Sequence, residues 1–318
     1  MARSDPRDDV LVLAHAFSRP EVQDFADVVG DSLELVLAAC ASDCPFLVVA
    51  GVHFLAETIA ILVPDRVVVH PEPLAQCAMA ARLTVAGIEK ARARYPGVPI
   101  VTLVNSPAAA KAVSDICCTS ANAISVVESL GVSRILFAPD RNLAAYIATQ
   151  TGVEVIPVPA LGCCPMHQAL SPDDISNLLA LHPRAELMVH PATAPAVQAL
   201  AGFIGSVPAL IRRVHMTDAT TAIVGTDTAV LSRMRRLAPH QILVPASHLM
   251  SCPDMRMTTL PSVRDALRTR EPVVRVDPSI ATKARRAIER MLAVTGWNLA
   301  SGPEFDSAGE KVVGKMPA

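Results

Sequence analysis

The chain reads as an α/β protein built from three αβα units, each with a parallel sheet, standing around a pseudo-threefold axis and meeting at a central site. Short runs that are apolar throughout alternate from end to end with segments of helical period, the pattern of parallel sheets covered on both faces. Similar residues also recur at one interval. Cys77, Cys164 and Cys252 lie 87 and 88 residues apart, Ser32, Ser120 and Ser206 lie 88 and 86 apart, Gly51, Ala138 and Gly225 lie 87 and 87 apart, and the strand-end positions His15, Leu103 and His190 lie 88 and 87 apart. Self-similarity at a fixed period marks repeated units, and this period is too long for one turn of a solenoid.

In chain order the apolar runs predict strands at Val10 to Ala14, Phe46 to Ala50, Val67 to His70, Ile100 to Val104, Ile135 to Ala138, Val153 to Val158, Leu187 to His190, Ala222 to Gly225, Ile242 to Val244 and Val273 to Val276. Helical periodicity predicts helices at Phe54 to Leu62, Leu74 to Tyr95, Ala121 to Leu130, Leu143 to Thr151, Asp173 to Leu181, Ala194 to Phe203, Ala229 to Leu237 and Ile280 to Thr295. Gly97-Val98-Pro99 and His182-Pro183-Arg184 each follow a long helix and precede a strand in register with the repeat. The expected units are therefore 1–97, 98–183 and 184–300, the last with a C-terminal helix, followed by a Gly-, Pro- and charge-rich surface tail at 301–318.

Composition narrows the partners. Hydrophobic residues make up 51% of the 318 and charged residues 18%, enough for large cores, and the formal net charge of −2 with no basic run gives no support to nucleic acid as a partner. The polar start MARSDPRDDV argues against a signal peptide, and no apolar run reaches the roughly 18 residues of a membrane span. The expected compartment is the cytoplasm. Eight cysteines there are thiols rather than a disulfide framework. Cys40, Cys44, Cys117, Cys118 and Cys163 read as small buried hydrophobes, a Cys-x-x-x-Cys metal pair at Cys40 and Cys44 being the less favoured reading.

Open parallel sheets bind ligands beyond the carboxyl ends of their strands. His15, Asn105 and His190 end strands, while Ser32, Ser120 (with Thr119 before it) and Ser206 precede apolar helical runs, where they are expected to cap helices and hold an anion. With the histidines supplying proton transfers, this describes a pocket for a small anionic substrate beneath three thiolates. Three thiolates without a fourth ligand suit two metals. A zinc ion would keep a water in its open position, and a 4Fe-4S cluster would leave one iron open as a Lewis acid. Cysteine-only ligation favours the cluster. His167, at Cys-x-x-His spacing from Cys164, is open to reading as a ligand, an acid/base or a capped loop histidine.

From about Leu11 to Leu292 the chain resembles the quinolinate synthase family. The resemblance is carried by Pro20-Glu21-Val22-Gln23-Asp24 with Gly30-Asp31-Ser32-Leu33-Glu34-Leu35, by Gly51-Val52-His53-Phe54-Leu55-Ala56-Glu57-Thr58, by Cys117-Cys118-Thr119-Ser120-Ala121-Asn122-Ala123, by Val224-Gly225-Thr226, and by Cys252-Pro253-Asp254-Met255-Arg256-Met257-Thr258-Thr259-Leu260. It implies three pseudo-symmetric αβα domains and one 4Fe-4S cluster on Cys77, Cys164 and Cys252. It also implies condensation of iminoaspartate with dihydroxyacetone phosphate to quinolinate, with loss of phosphate and water.

Departures from the family accompany the matches. The family's His-x-Tyr is His15-Ala16-Phe17 here, its Tyr-x-Asn is Leu103-Val104-Asn105, its His-Pro-Glu-Cys is His190-Pro191-Ala192-Thr193, its Gly-Ser-Thr is Gly205-Ser206-Val207, and its Met-Lys is Met255-Arg256. Retained cysteines beside lost polar groups lead to the expectation of a cluster enzyme with an altered small anionic substrate. A non-catalytic iron-sulfur sensor and a zinc-dependent lyase or hydrolase are the alternatives.

Overall fold

The computed structural model describes residues 9–296; the expected tail at 301–318 lies outside them. The first sheet belongs to a run of β1 (Val10–His15), α1 (Pro20–Phe25), β2 (Val28–Gly30), α2 (Ser32–Ala41), β3 (Phe46–Ala50), α3 (His53–Leu62), β4 (Val67–Val69) and α4 (Val85–Arg94). The second belongs to β5 (Ile100–Leu103), α5 (Ala108–Ala112), β6 (Ile116–Cys118), α6 (Ala123–Ser129), β7 (Arg134–Ala138), α7 (Arg141–Thr151), β8 (Glu154–Pro157), α8 (Pro165–Gln168) and α9 (Pro172–Leu181). The third belongs to β9 (Glu186–Val189), α10 (Pro195–Gln198), β10 (Phe203–Ile204), α11 (Val207–Met216), β11 (Thr221–Gly225), α12 (Thr228–Leu237), β12 (Ile242–Pro245) and α13 (Pro253–Met257). Two helices follow, α14 (Leu260–Thr269) and α15 (Pro278–Val294).

All three sheets are four-stranded and parallel, with the same order: β2-β1-β3-β4, β6-β5-β7-β8 and β10-β9-β11-β12. The expected α/β architecture of three αβα units is thus what the chain forms. Central strands such as β3 (FLVVA) are buried at every residue, as sheets covered on both faces require. The sheet register gives the repeat to the residue. Ala14 pairs with Ala50, Thr102 with Ala138 and Val189 with Gly225, so Ala50, not Gly51, is the equivalent of Ala138 and Gly225.

The last two helices close the molecule. α14 packs on α1 and β3, and α15 lies against α3, α5, α6 and β6. Ala284, Ile288, Met291 and Leu292 of α15 join the largest apolar core, which spans the first two repeats. Asp277 caps this helix, accepting from the Ser279 and Ile280 amides, and Pro278 fits its first turn.

Several expectations are corrected. The helix expected over Leu74 to Tyr95 begins only at Val85, because the stretch before it forms the loop that carries Cys77. Val273 to Val276 makes a single antiparallel bridge, Val273 with Val69, instead of a strand. The helix expected over Ala194 to Phe203 stops at Gln198, and Phe203 opens β10. The short strands β2, β6 and β10 do not register in the sequence pattern, nor do α1, α5, α8, α13 and α14, while α11 is the helical run expected after Ser206. Among the described residues no helix is long and apolar enough to cross a membrane.

Candidate active site

Each of the three cysteines sits in the loop after the last strand of its sheet, and one backbone bond sets all three loops. The first amide of the helix after the third strand reaches the carbonyl two residues before the cysteine: His53 to Ala75 at 2.9 Å, Arg141 to Gly162 at 2.7 Å and Thr228 to Met250 at 2.7 Å. Gly162 is needed in this arrangement, since a Cβ there would collide with the Pro139 carbonyl. In two repeats the aspartate that caps the helix also holds the cysteine. Asp140 accepts from the Asn142 and Leu143 amides through Oδ1 and from the Cys164 amide through Oδ2 at 3.2 Å; Asp227 accepts from Ala229 through Oδ1 and from Cys252 through Oδ2 at 2.7 Å. In the first repeat Val52 stands at this place, and the Cys77 loop is tied instead by Asp254, which accepts from the Ala78 amide at 3.2 Å.

Cys164 and Cys252 occupy the N-caps of α8 and α13, each followed by proline at the first helical position. Backbone N–H groups face all three sulfurs: those of Met79 and Ala80 at Cys77, His167 at Cys164 and Met255 at Cys252. Burial nevertheless raises the pKa of each thiol, Cys252 to about 11, and the thiols raise one another, Cys77 acting on both partners and Cys252 on Cys164. That mutual effect marks three free, half-buried thiols gathered in one place. Among the described residues no group of three or more His, Cys, Asp or Glu is placed to hold a metal ion.

Three histidines stand beside the thiols. His167 approaches Cys164 Sγ through Nδ1 at 3.3 Å and Thr226 Oγ1 through Nε2 at 3.2 Å, and its ring stacks on His190 with centroids 4.6 Å apart. The Ala192 amide donates to His190 Nδ1 at 3.2 Å, so the ring proton sits on Nε2, which reaches Ser120 Oγ at 3.1 Å. His15 is set the same way by the Phe17 amide, which donates to its Nδ1 at 3.1 Å. Burial lowers the pKa of all three, His15 and His190 to about 4, with His15 adding to the shift of His190. All three are neutral near pH 7.

The register sorts the remaining positions into rings of three. His15, Leu103 and His190 form one, and Phe17, Asn105 and Ala192 the next, each lying at or just beyond the ends of β1, β5 and β9. Gly30, Cys118 and Gly205 are equivalent, so the partner of Ser32 and Ser120 in the third repeat is Val207, while Ser206 matches Asp31. The 86-residue interval to Ser206 is one short for this reason. Helix capping also differs from expectation. Asp31, not Ser32, caps α2, Asn122 is the N-cap residue of α6, and Ser206 stands at the N-cap of α11 without bonding to it. Ser120 spends its hydroxyl on His190 instead.

The walls near the cysteines are apolar. Leu103 is buried in the core against which Phe17, Cys77, Cys164 and Cys252 pack, and the Phe17 ring meets His15 edge-on at 4.9 Å and His167 at 6.3 Å. Ala192 and Val207 are buried as well. Cys117 and Cys118 lie in β6 with burial pushing both thiols up, and Cys40 sits on α2, so none of these joins the group. The sequence reading gives no role to Asp140 and Asp227, and names Thr226 only within the Val224-Gly225-Thr226 motif. The one available signal was the recurrence of Asp140 and Asp227 at the repeat interval, which a capping aspartate does not make conspicuous.

Comparison with known proteins agrees with this geometry. The family described as Quinolinate synthetase A protein matches residues 1–293. The protein from Methanoregula boonei named quinolinate synthase is 45% identical over 292 residues, covering 92% of this chain and 96% of that one. Those of the same name from Dehalococcoides mccartyi and Pyrococcus horikoshii are each 44% identical, over 285 and 287 residues, covering 90% of this chain and 94% and 95% of theirs. Threefold repeat, cysteine loops and sequence similarity along almost the whole described chain lead to one assignment: the protein belongs to the quinolinate synthase family.

Proposed function

We propose that this protein is a 4Fe-4S enzyme of quinolinate synthase type, acting on a small anionic substrate with a polar complement reduced from that of the family, and that Cys77, Cys164 and Cys252 hold the cluster. The observation that carries this reading is the gathering of one free, half-buried thiol from the equivalent loop of each repeat. The donor set fits the group. The sulfurs accept backbone N–H bonds, which favour thiolate, and each raises the charge cost of the others, a cost that bound iron offsets. Cysteine-only donors with no nitrogen or oxygen ligand favour a cluster over zinc. When bound, the cluster supplies an open iron that acts as a Lewis acid toward substrate oxygen or nitrogen.

The protein's own groups orient the substrate. His15 and His190 each have Nδ1 filled by a backbone donor and stay neutral at their low pKa; His15 presents its Nε2–H to a carbonyl or carboxylate oxygen, while His190 donates its own to Ser120 Oγ, leaving the Ser120 O–H to donate onward. His167, held between Cys164 and Thr226, is placed for proton transfer beside the cysteines. Ser32, Asn105, Ser120 and Ser206 are the candidate anion contacts. Phe17, Leu103, Ala192 and Val207 add only apolar surface at equivalent positions, which supports a substrate other than the family's pair. The test supplies iminoaspartate and dihydroxyacetone phosphate to anaerobic, cluster-loaded protein. Little or no quinolinate is expected, and turnover matching the Pyrococcus horikoshii relative would restore the family substrates.

A further inference from the structure

Each strand-end loop of the candidate site is held from behind by one long, buried side chain. Gln23 on α1 donates its amide to the carbonyls of Ala16 at 3.0 Å and Ser18 at 2.9 Å. Gln198 on α10 donates to Pro191 at 2.8 Å and Thr193 at 2.7 Å. The equivalent position in the second repeat is Lys111 on α5. Its ammonium reaches the Ser106 carbonyl at 2.7 Å and, in place of a second loop carbonyl, Thr58 Oγ1 at 2.8 Å and the Phe54 carbonyl at 3.4 Å on α3. Gln23, Lys111 and Gln198 lie 88 and 87 residues apart, the intervals that relate the three strand ends.

The bonded carbonyls adjoin the second ring of the site, two of whose members, Phe17 and Ala192, depart from the family while Asn105 is kept. Ala16 and Ser18 flank Phe17, Pro191 and Thr193 flank Ala192, and Ser106 follows Asn105. An ammonium has three N–H donors, and Lys111 finds three oxygens, leaving none for a ligand. It is fully buried and sits 5.7 Å from the Phe54 ring centroid. No helix or sheet ladder needs these bonds. Their common effect is to fix the peptide units on which Phe17, Asn105 and Ala192 are mounted.

We propose that Gln23, Lys111 and Gln198 are one set of positioning residues, which hold the backbone at Phe17, Asn105 and Ala192 while leaving those side chains free to change. This rests on reading the three positions as pocket residues. It accounts for how the second ring of the site has lost two polar groups while the loops keep their shape: in the first and third repeats the same bracket surrounds phenylalanine and alanine. In the second repeat the longer lysine also crosses to α3 of the first, tying the Asn105 loop to a neighbouring unit.

The test replaces each donor by an apolar side chain of similar length, as Gln23→Met, Lys111→Met and Gln198→Met, with Lys111→Gln as rescue because the other two repeats use glutamine. Hydrogen exchange of the cluster-free protein is followed in peptides covering 16–19, 104–107 and 191–194, and kcat and KM for quinolinate formation are measured on cluster-loaded protein. Each methionine variant is expected to raise exchange roughly tenfold in its own loop and not in the other two, as loss of one or two hydrogen bonds predicts. Its kcat/KM is expected to fall roughly 10- to 100-fold, as displacement of substrate-facing groups predicts, and Lys111→Gln recovers most of what Lys111→Met loses. Exchange that rises equally everywhere, or kcat/KM that stays at the wild-type value, overturns the proposal. Because little quinolinate is expected of the wild type, the same substitutions are also made in the Phe17→Tyr, Leu103→Tyr, Ala192→Glu variant, whose kcat/KM then carries the kinetic arm; where neither background turns over, exchange alone decides the clamp. Where a methionine variant fails to fold, Gln23→Asn or Gln198→Asn, which withdraws the donor by one methylene, carries the same expectation.

Discussion

Arg256 is ion-paired with Asp227, whose carboxylate is fully buried, at 2.6 Å. The other oxygen of Asp227 accepts from the Cys252 amide, and the guanidinium also reaches Ser251 Oγ at 3.1 Å and the Phe17 carbonyl. One arginine thus fastens the loop of a cysteine in the third repeat to the strand-end loop of the first. Three of its donors go to the protein and its charge is paired with Asp227. Arg256→Met leaves a buried carboxylate without its partner and should destabilise the cluster-free protein by about 3–5 kcal/mol. Denaturant unfolding measures this, and a change under about 0.5 kcal/mol would place Arg256 among ordinary surface residues.

Lys111 gives stability a pH dependence. Burial lowers its pKa from 10.5 to about 8, against the pull of Cys117 and Glu57. Between those values the unfolded chain holds the proton and the folded chain does not, so this residue's contribution to stability rises with pH. The contribution is present above the ordinary lysine pKa and is lost as pH falls through about 8. Unfolding of wild type and Lys111→Gln at about pH 7 and about pH 10 should show wild type gaining on the variant at the higher pH, by an amount on the order of a few kcal/mol. A constant difference would mean that Lys111 titrates normally.

Much of the fold was legible because its signals repeat. Strand runs such as Phe46 to Ala50 are apolar at every residue, and cysteines at one interval stand out against a background of alanine and valine. The edge strands were not legible: β10 is two residues long and β2 and β6 three, too short for any period to register. The Cys77 stretch reads as helix because Leu74, Ala75, Met79 and Ala80 mimic helical spacing, although the bonds that follow, Ala81 to Cys77, Arg82 to Met79 and Leu83 to Ala80, close only a loop and a single 3₁₀ turn. The serine ring was misaligned by one because Ser206 looks like Ser32, and only the pairing of Val189 with Ile204 reveals Val207 as the equivalent.

Restoring the lost polar groups should restore the family reaction. Phe17→Tyr, Leu103→Tyr and Ala192→Glu together return two phenols and a carboxylate to the first two rings. A site built for hydrogen bonding discriminates by up to roughly 10⁴–10⁵ at the extreme against a missing partner. Quinolinate formation by the triple variant should therefore exceed that of wild type by orders of magnitude. Equal rates in both would remove these positions from the account of specificity.

The central claim is that Cys77, Cys164 and Cys252 hold a cluster, and the most direct measurement is iron and acid-labile sulfide in anaerobically prepared wild type and in the Cys77→Ala, Cys163→Ala, Cys164→Ala and Cys252→Ala variants. Wild type should be brown with about four irons and about four sulfides per chain. Cys163→Ala should match it, and the other three should lose most of both. One zinc without sulfide in wild type, or a cluster that survives Cys164→Ala but not Cys163→Ala, would contradict the account.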